Sequence, residues 1–411
     1  MASKYRNLLI LLVLAKKFRI LTPSMAAYLC YLNEAHEFPL PKRHLHRKLL
    51  LFSVALVPKR PDLSAFNVVV SIHLMQHILQ KKNRIISQYN RLQRVDINLL
   101  SSALCLAYFR FGADEIHRLS EALRIPHVFV AHDRVKCSGK EALCIMLRRM
   151  TFPCRWVELS AMFGRSRAFM SVVVNSLLRF IHNEFSTILT LDSRRLSVTN
   201  LRAYSQAVRN QGGPDIPVFG FIDGTFNSVC RPTDYQRAFY SGHKKAHGIK
   251  FITICTPDGL TQHLYGPDIG SVHDARMLRE SALLESHLRA IAVDGDDKFF
   301  ILGDQGFPCV QQFVTPFRMP ATPGEFEFNH ALSRVRQAVE WSYKDISSFW
   351  KFLQHLQNLK VYHQQVAEHF WVGALLSNCR SCLYGSQTAT FFNLQAPSLE
   401  EYLSTAYEAS S

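Results

Sequence analysis

Three carboxylates stand where chemistry would need them. The run Phe299-Phe-Ile-Leu302 is continuous and apolar and ends in Gly303-Asp304-Gln-Gly306, the pattern of a short buried strand with an aspartate at its mouth. Val218-Phe-Gly-Phe-Ile222 has the same character and delivers Asp223 before Gly224-Thr225. Thirty-five residues (305–339) separate Asp304 from Glu340. Glu340 sits on the margin of an apolar stripe, Leu332, Val335, Val339, Ile346, Trp350 and Leu353, whose spacing predicts a helix. Carboxylates brought together repel and raise one another's pKa. Hard divalent cations such as Mg²⁺ or Mn²⁺ relieve that repulsion. Two such ions, about 3.5–4 Å apart, clamp both the attacking and the leaving oxygen of a phosphodiester. Taken singly, each acid suits a turn or a solvated helix face. The set points to a metal site.

Other elements must position and feed that site. Ile249–Thr256 and Leu260–Tyr265 flank Pro257-Asp-Gly259, a hairpin signal. Asp274 opens a predicted helix over 275–288, where a carboxylate is favoured by the helix dipole without any metal. Ser241-Gly-His-Lys-Lys-Ala-His247 makes Lys244 and Lys245 a phosphate-gripping loop, while Arg336 and Lys344 lie one turn to either side of Glu340 and would meet DNA. Earlier in the chain, Ser138-Gly-Lys-Glu141 resembles a capping box ahead of a helix that ends before Pro153. A second helix over about 155–163 stops at Gly164, and Ser166 caps a third through Glu184. Helix, glycine turn and helix form a helix-turn-helix pattern presenting Arg165, Arg167 and Arg179 to phosphates or bases, although an ordinary helical bundle reads the same way.

Charge agrees with a polyanionic partner. The 411 residues carry a net +16, but unevenly: residues 1–200 hold 30 Lys+Arg against 12 Asp+Glu, and residues 201–411 hold 18 against 20. A hydrophobic content of 48% excludes wholesale disorder. The ten cysteines are scattered in apolar surroundings, as reduced thiols of an intracellular protein are, and Cys379-x-x-Cys382 lacks a second pair at zinc spacing. The apolar runs 8–15 and 49–57 are too short to span a bilayer, so no membrane is expected. Basic clusters near Lys42, Arg47 and Lys81 suit nuclear import or solvated helix faces equally. The expected organisation is a basic helical extension over 1–100, a helix-turn-helix region over 101–190, a linker over 191–217, the acid-bearing α/β domain over 218–395 and a fraying tail over 396–411.

Six ordered segments carry a family resemblance: I-D-G-T (222–225), Y-S-G-H-K-K-A-H-G-I-K-F (240–251), G-S-V-H-D-A-R-M-L (270–278), I-L-G-D-Q-G-F-P (301–308), T-P-F (315–317) and F-N-H-A-L-S-R-V-R-Q-A-V-E (328–340). Together they resemble the PIF/Harbinger transposases and the Harbinger-derived nucleases. The resemblance implies a ribonuclease-H-like DDE nuclease domain preceded by an all-α region with a helix-turn-helix. It also implies Mg²⁺- or Mn²⁺-dependent cleavage of double-stranded DNA at terminal inverted repeats. Asp223 and Glu340 map onto the first and third acids. Asp304 is preferred over Asp274 for the middle one, with Asp274 completing the metal shell or orienting the nucleophile. A Myb-like partner protein, a homo-oligomer and a nuclear location are expectations of the same kind. The W-S-Y-K-D-I stretch after Glu340 departs from the family's commoner aromatic-Gly-x-Leu-Lys pattern. Two rivals remain: a domesticated DNA-binding protein that no longer cuts, and a small-molecule phosphohydrolase centred on His273 and Asp274.

Overall fold

In the computed structural model, the described residues are 95–281, 293–294, 297–309 and 312–408. They fall within one compact unit, residues 88–411. Most of the basic extension, residues 1–94, lies outside the described residues, as do residues 282–288 of the helix expected after Asp274.

The front of this unit is helical. Helices α1 (Ser102–Phe109), α2 (Ala113–Ala122), α3 (Gly139–Thr151), α4 (Trp156–Phe163) and α5 (Arg167–Glu184) enclose a core with Phe109, Leu143, Leu147 and Leu177. A small antiparallel ladder, β1 (Val128–Val130) with β2 (Lys136–Ser138), precedes α3. Gly164 ends α4 in the left-handed region (φ 60°), and the Ser166 hydroxyl accepts the Phe169 amide to start α5, as their residue types require. The Ser138 hydroxyl caps α3 through the Glu141 amide, but no reciprocal box forms there, because the Glu141 carboxylate is engaged by Arg165.

The expected linker is a correction. Residues 198–210 form helix α6 (Val198–Asn210), with Leu201, Tyr204 and Val208 buried against the sheet. Its apolar residues recur at helical spacing, a signal that the Gly212-Gly213-Pro214 turn after it obscured.

The sheet runs β6 (Thr261–Ile269), β5 (Ala246–Cys255), β3 (Val218–Ser228), β9 (Phe300–Leu302), β10 (Phe313–Val314). A short strand β4 (Tyr240–Ser241) also pairs with β5. β3, β5 and β6 are antiparallel neighbours, whereas β9 and β10 run parallel to β3. A separate two-residue ladder joins β7 (Val293–Asp294) to β8 (Asp297–Lys298). The fold is therefore mixed α/β with a mixed sheet.

Two layers cover the faces of this sheet. On one, Phe221 and Leu302 pack against Leu332 and Val335 of helix α9 (Pro323–Phe349), with α6 at the margin. On the other, Ile222, Ile252 and Ile254 pack against Met277 and Leu278 of α8 (Asp274–Glu280). The four-residue helix α7 (Gln236–Phe239) leads into β4. Helix α9 begins nine residues before the apolar stripe does, at Pro323 behind a complete Thr322/Glu325 capping box. It ends before Trp350, whose indole donates to Ser377 on α10 (Val366–Tyr384), and Leu353 falls in a 3₁₀ turn. Helix α11 (Gln387–Phe392) adds Phe392 against Phe221. The expected fraying tail is a further correction: α12 (Leu399–Glu408) buries Leu399, Tyr402 and Leu403. Among the described residues, no helix is long and apolar enough to cross a membrane.

Candidate active site

Register brings the first two acids together. β3 and β9 pair in parallel with Phe221 opposite Leu302, so Asp223 and Asp304 each follow two residues beyond one matched pair. Side chains alternate along a strand, which puts Asp223 on the same face as Phe221, the face covered by α9. Asp223 is not at a strand end, as the sequence suggested. β3 continues to Ser228 because β5 pairs with it as far as Gly248, while β9 has already turned away at Gly303. That divergence opens the space beside Asp223. Asp304 is held in the turn by its own carboxylate, whose Oδ1 accepts the Gly306 amide at 2.8 Å.

Helix α9 sends a cation into this space. The Arg336 Nη2 lies 3.6 Å from Asp304 Oδ2 and 4.0 Å from Asp223 Oδ1. Val335, its neighbour in the chain, is fully buried against the sheet, so the helix cannot rotate away. Burial pushes the Asp223 carboxyl up to about 6. The Arg336 charge and the Gly224 amide work against that rise; the Asp304 and Asp274 charges add to it. Glu340 lies one turn further along α9 and is exposed. Lys344, another turn on, is exposed as well. Arg336 thus joins Asp223 and Asp304, while Glu340 stands one turn further along the helix.

Asp274 belongs to the other face. It is the first residue of α8, and its carboxylate lies over Gly224, where a Cβ would come 2.6 Å from Asp274 Cγ. Lys250 of β5 donates to Asp274 Oδ1 at 2.7 Å and to the Val272 carbonyl at 2.8 Å. Lys250 is a residue that the sequence reading overlooked. Its signal was legible: a lysine between Ile249 and Phe251 in a predicted strand needs an anionic partner when it is largely buried.

The residues expected to grip nucleic acid are dispersed. Arg167, Lys244 and Lys245 are exposed. Arg165 is committed within the protein, making two hydrogen bonds to Glu141 at 2.7 and 2.8 Å and stacking over Phe169. Among the described residues, no group of three His, Cys, Asp or Glu stands close enough to hold a metal as arranged. The donors nevertheless fit a hard divalent cation. Asp223 and Asp304 each follow two residues beyond one matched strand pair, and the Arg336 guanidinium reaches both, so two hard oxygen donors face one space.

The comparisons with known proteins bear on this same segment. The family model described as "DDE superfamily endonuclease" matches residues 222–378. The curated protein "Putative nuclease HARBI1" of Homo sapiens is 21% identical over 206 residues, 50% of this chain and 56% of that protein. The protein of the same name from Bos taurus is 22% identical over 209 residues, with the same shares. The chain thus spans about half the length of the curated relatives it matches. No solved structure matches it. The resemblance to Harbinger-derived nucleases seen in the ordered motifs therefore holds, and the segment that matches the DDE superfamily endonuclease model, residues 222–378, carries all four acids.

Proposed function

We propose that this chain is a divalent-metal-dependent DNA endonuclease of ribonuclease-H-like architecture, cutting at the terminal inverted repeats of a transposable element. The observation that carries the reading is the parallel register of β3 and β9, which sets Asp223 and Asp304 side by side on the face covered by the Glu340 helix. The strand order, three antiparallel strands followed by two parallel ones, supports the same architecture.

Asp223, Asp304 and Glu340 would hold Mg²⁺ or Mn²⁺. Bound divalent ions supply a deprotonated oxygen nucleophile at neutral pH and charge stabilisation at the phosphorus. The chain's own part is positional. Asp304 is fixed by the Gly306 amide, Asp223 by the Gly224 amide, and both present oxygens to one space. Arg336 and Lys344 stand on the same helix, able to meet the flanking phosphates. Lys244 and Lys245 offer a second grip, and Arg167 at the start of α5 a third, as part of a helix-turn-helix. A nuclear location, a further copy of the chain and a Myb-like partner complete the reading.

The test is Mg²⁺-dependent nicking of inverted-repeat DNA by the full chain and by Asp304→Asn. The variant should retain DNA and lose nicking. Nicking at the wild-type rate would remove Asp304 from the mechanism. The exposed setting of Glu340 keeps one second reading in view, a DNA-binding protein that no longer cuts. Absence of cleavage by the wild type with Mn²⁺ would select it.

A further inference from the structure

We propose that Lys250 is a positioning residue that withdraws Asp274 from the metal-binding set and pins it against the outer face of β3, leaving the metal to Asp223, Asp304 and Glu340. The inference rests on the metal-dependent reading above and specifies which acids serve it.

The sheet itself divides the acids. Opposite Ile222, Gly224 and Phe226 on β3 stand Ile254, Ile252 and Lys250 on β5. Paired residues share a face, so Lys250 projects to the side of Ile222 and Gly224, where Met277 and Leu278 of α8 pack. Asp223 and its pair Thr253 project to the opposite side, toward α9. Asp274 therefore meets the backbone of β3 from behind. Its carboxylate rests on Gly224, the only residue type that leaves room for it there.

Lys250 makes that placement permanent. Its ammonium is anchored twice, by the Val272 carbonyl and by Asp274 Oδ1, and its side chain is only 15% exposed. A carboxylate so paired has its charge matched before any divalent ion arrives. Arg336 differs in kind. It reaches its two aspartates at 3.6 and 4.0 Å, from one nitrogen, and is 30% exposed. Of the two built-in cations, the loosely held one stands on the pair that must admit a metal. The tightly held one stands on the acid that must not.

The test is calorimetric titration of Mn²⁺ into the full-length chain and into Asp304→Asn, Asp274→Asn, Lys250→Met and Lys250→Arg. Thermal unfolding of each protein confirms its fold. Loss of a direct ligand should weaken Mn²⁺ binding at least about tenfold in Asp304→Asn. Asp274→Asn should stay within about twofold of the wild type, and Lys250→Met should bind no more weakly than the wild type. Hydrogen exchange should reveal the positioning role: amides 224–226 exchange faster in Asp274→Asn and in Lys250→Met, and Lys250→Arg restores their protection. More than a twofold weakening in Asp274→Asn makes Asp274 a ligand and overturns the inference. So does unchanged exchange in both variants. A wild type that takes up no Mn²⁺ would instead overturn the metal-dependent function, and this assignment with it.

Discussion

Replacing Asp223 by Asn should make the protein more stable while disabling it. The Asp223 carboxyl is 24% exposed and is pushed from its ordinary value of 3.8 up to about 6, chiefly by burial. A carboxyl whose pKa is higher folded than unfolded binds its proton more tightly in the folded state. Its contribution to stability is therefore full below pH 3.8 and is lost as pH rises through 6. The difference corresponds to about 3 kcal/mol once the group is ionised. Asn keeps an acceptor for the Gly224 amide but gives up the weak 4.0 Å contact with Arg336, worth at most about 1 kcal/mol. The net gain should be about 2 kcal/mol near pH 8, or about 3 °C in Tm. Thermal unfolding of both proteins in metal-free buffer from pH 4 to 8 measures it. The gap should be near zero at pH 4, open between 4 and 6, and stay level above. The difference between the proteins is the quantity to follow, because His369 acts in the opposite sense. Its imidazole, lowered by burial to about 4, stabilises the fold above pH 6.5 and ceases to as the pH falls. A gap that is constant in pH, or a wild type more stable at pH 8, would refute the reasoning.

The remaining predictions concern the neighbours of that site. Arg336→Gln should tighten Mn²⁺ binding about two- to fivefold in a calorimetric titration, since a competing cation leaves Asp223 and Asp304. Weaker binding would mean that Arg336 helps to build the site instead. Gly224→Ala places a Cβ against the Asp274 carboxylate that Lys250 fixes, and should cost about 1–3 kcal/mol in urea unfolding. No change in midpoint would show that the acid has room to move. Arg165→Ala breaks the forked contact with Glu141 and the stacking on Phe169, and should destabilise the helical region by about 1–2 kcal/mol. If DNA affinity falls with the unfolding midpoint unchanged, Arg165 serves DNA rather than the fold.

Much of the framework was legible from pattern alone. The apolar runs at 218–222 and 300–302, the hairpin around Pro257-Asp-Gly259, and the Gly164 and Ser166 caps all became the elements their local chemistry dictates. Such signals are short-range: a glycine tolerates positive φ and a serine caps a helix whatever the rest of the chain does. Three misreadings came from elsewhere. Helix α6 was hidden behind the glycine turn that follows it, the front of α9 precedes its apolar stripe, and α12 folds only because Tyr402 and its neighbours find a core.

The sequence by itself determined that three aspartates and a glutamate follow one another as Asp223, Asp274, Asp304 and Glu340, two of them delivered by buried strands, with lysines and arginines nearby. Only the tertiary structure decided how those charges pair. Spacing along the chain says nothing of which sheet face a residue occupies. That depends on the register between β3, β5 and β9, and one step of register would send every side chain to the opposite side. Register is fixed by the packing of Phe221 and Leu302 under α9 and of Ile222 under α8, contacts between residues thirty or more positions apart. That packing set Arg336 between Asp223 and Asp304, and Lys250 on Asp274.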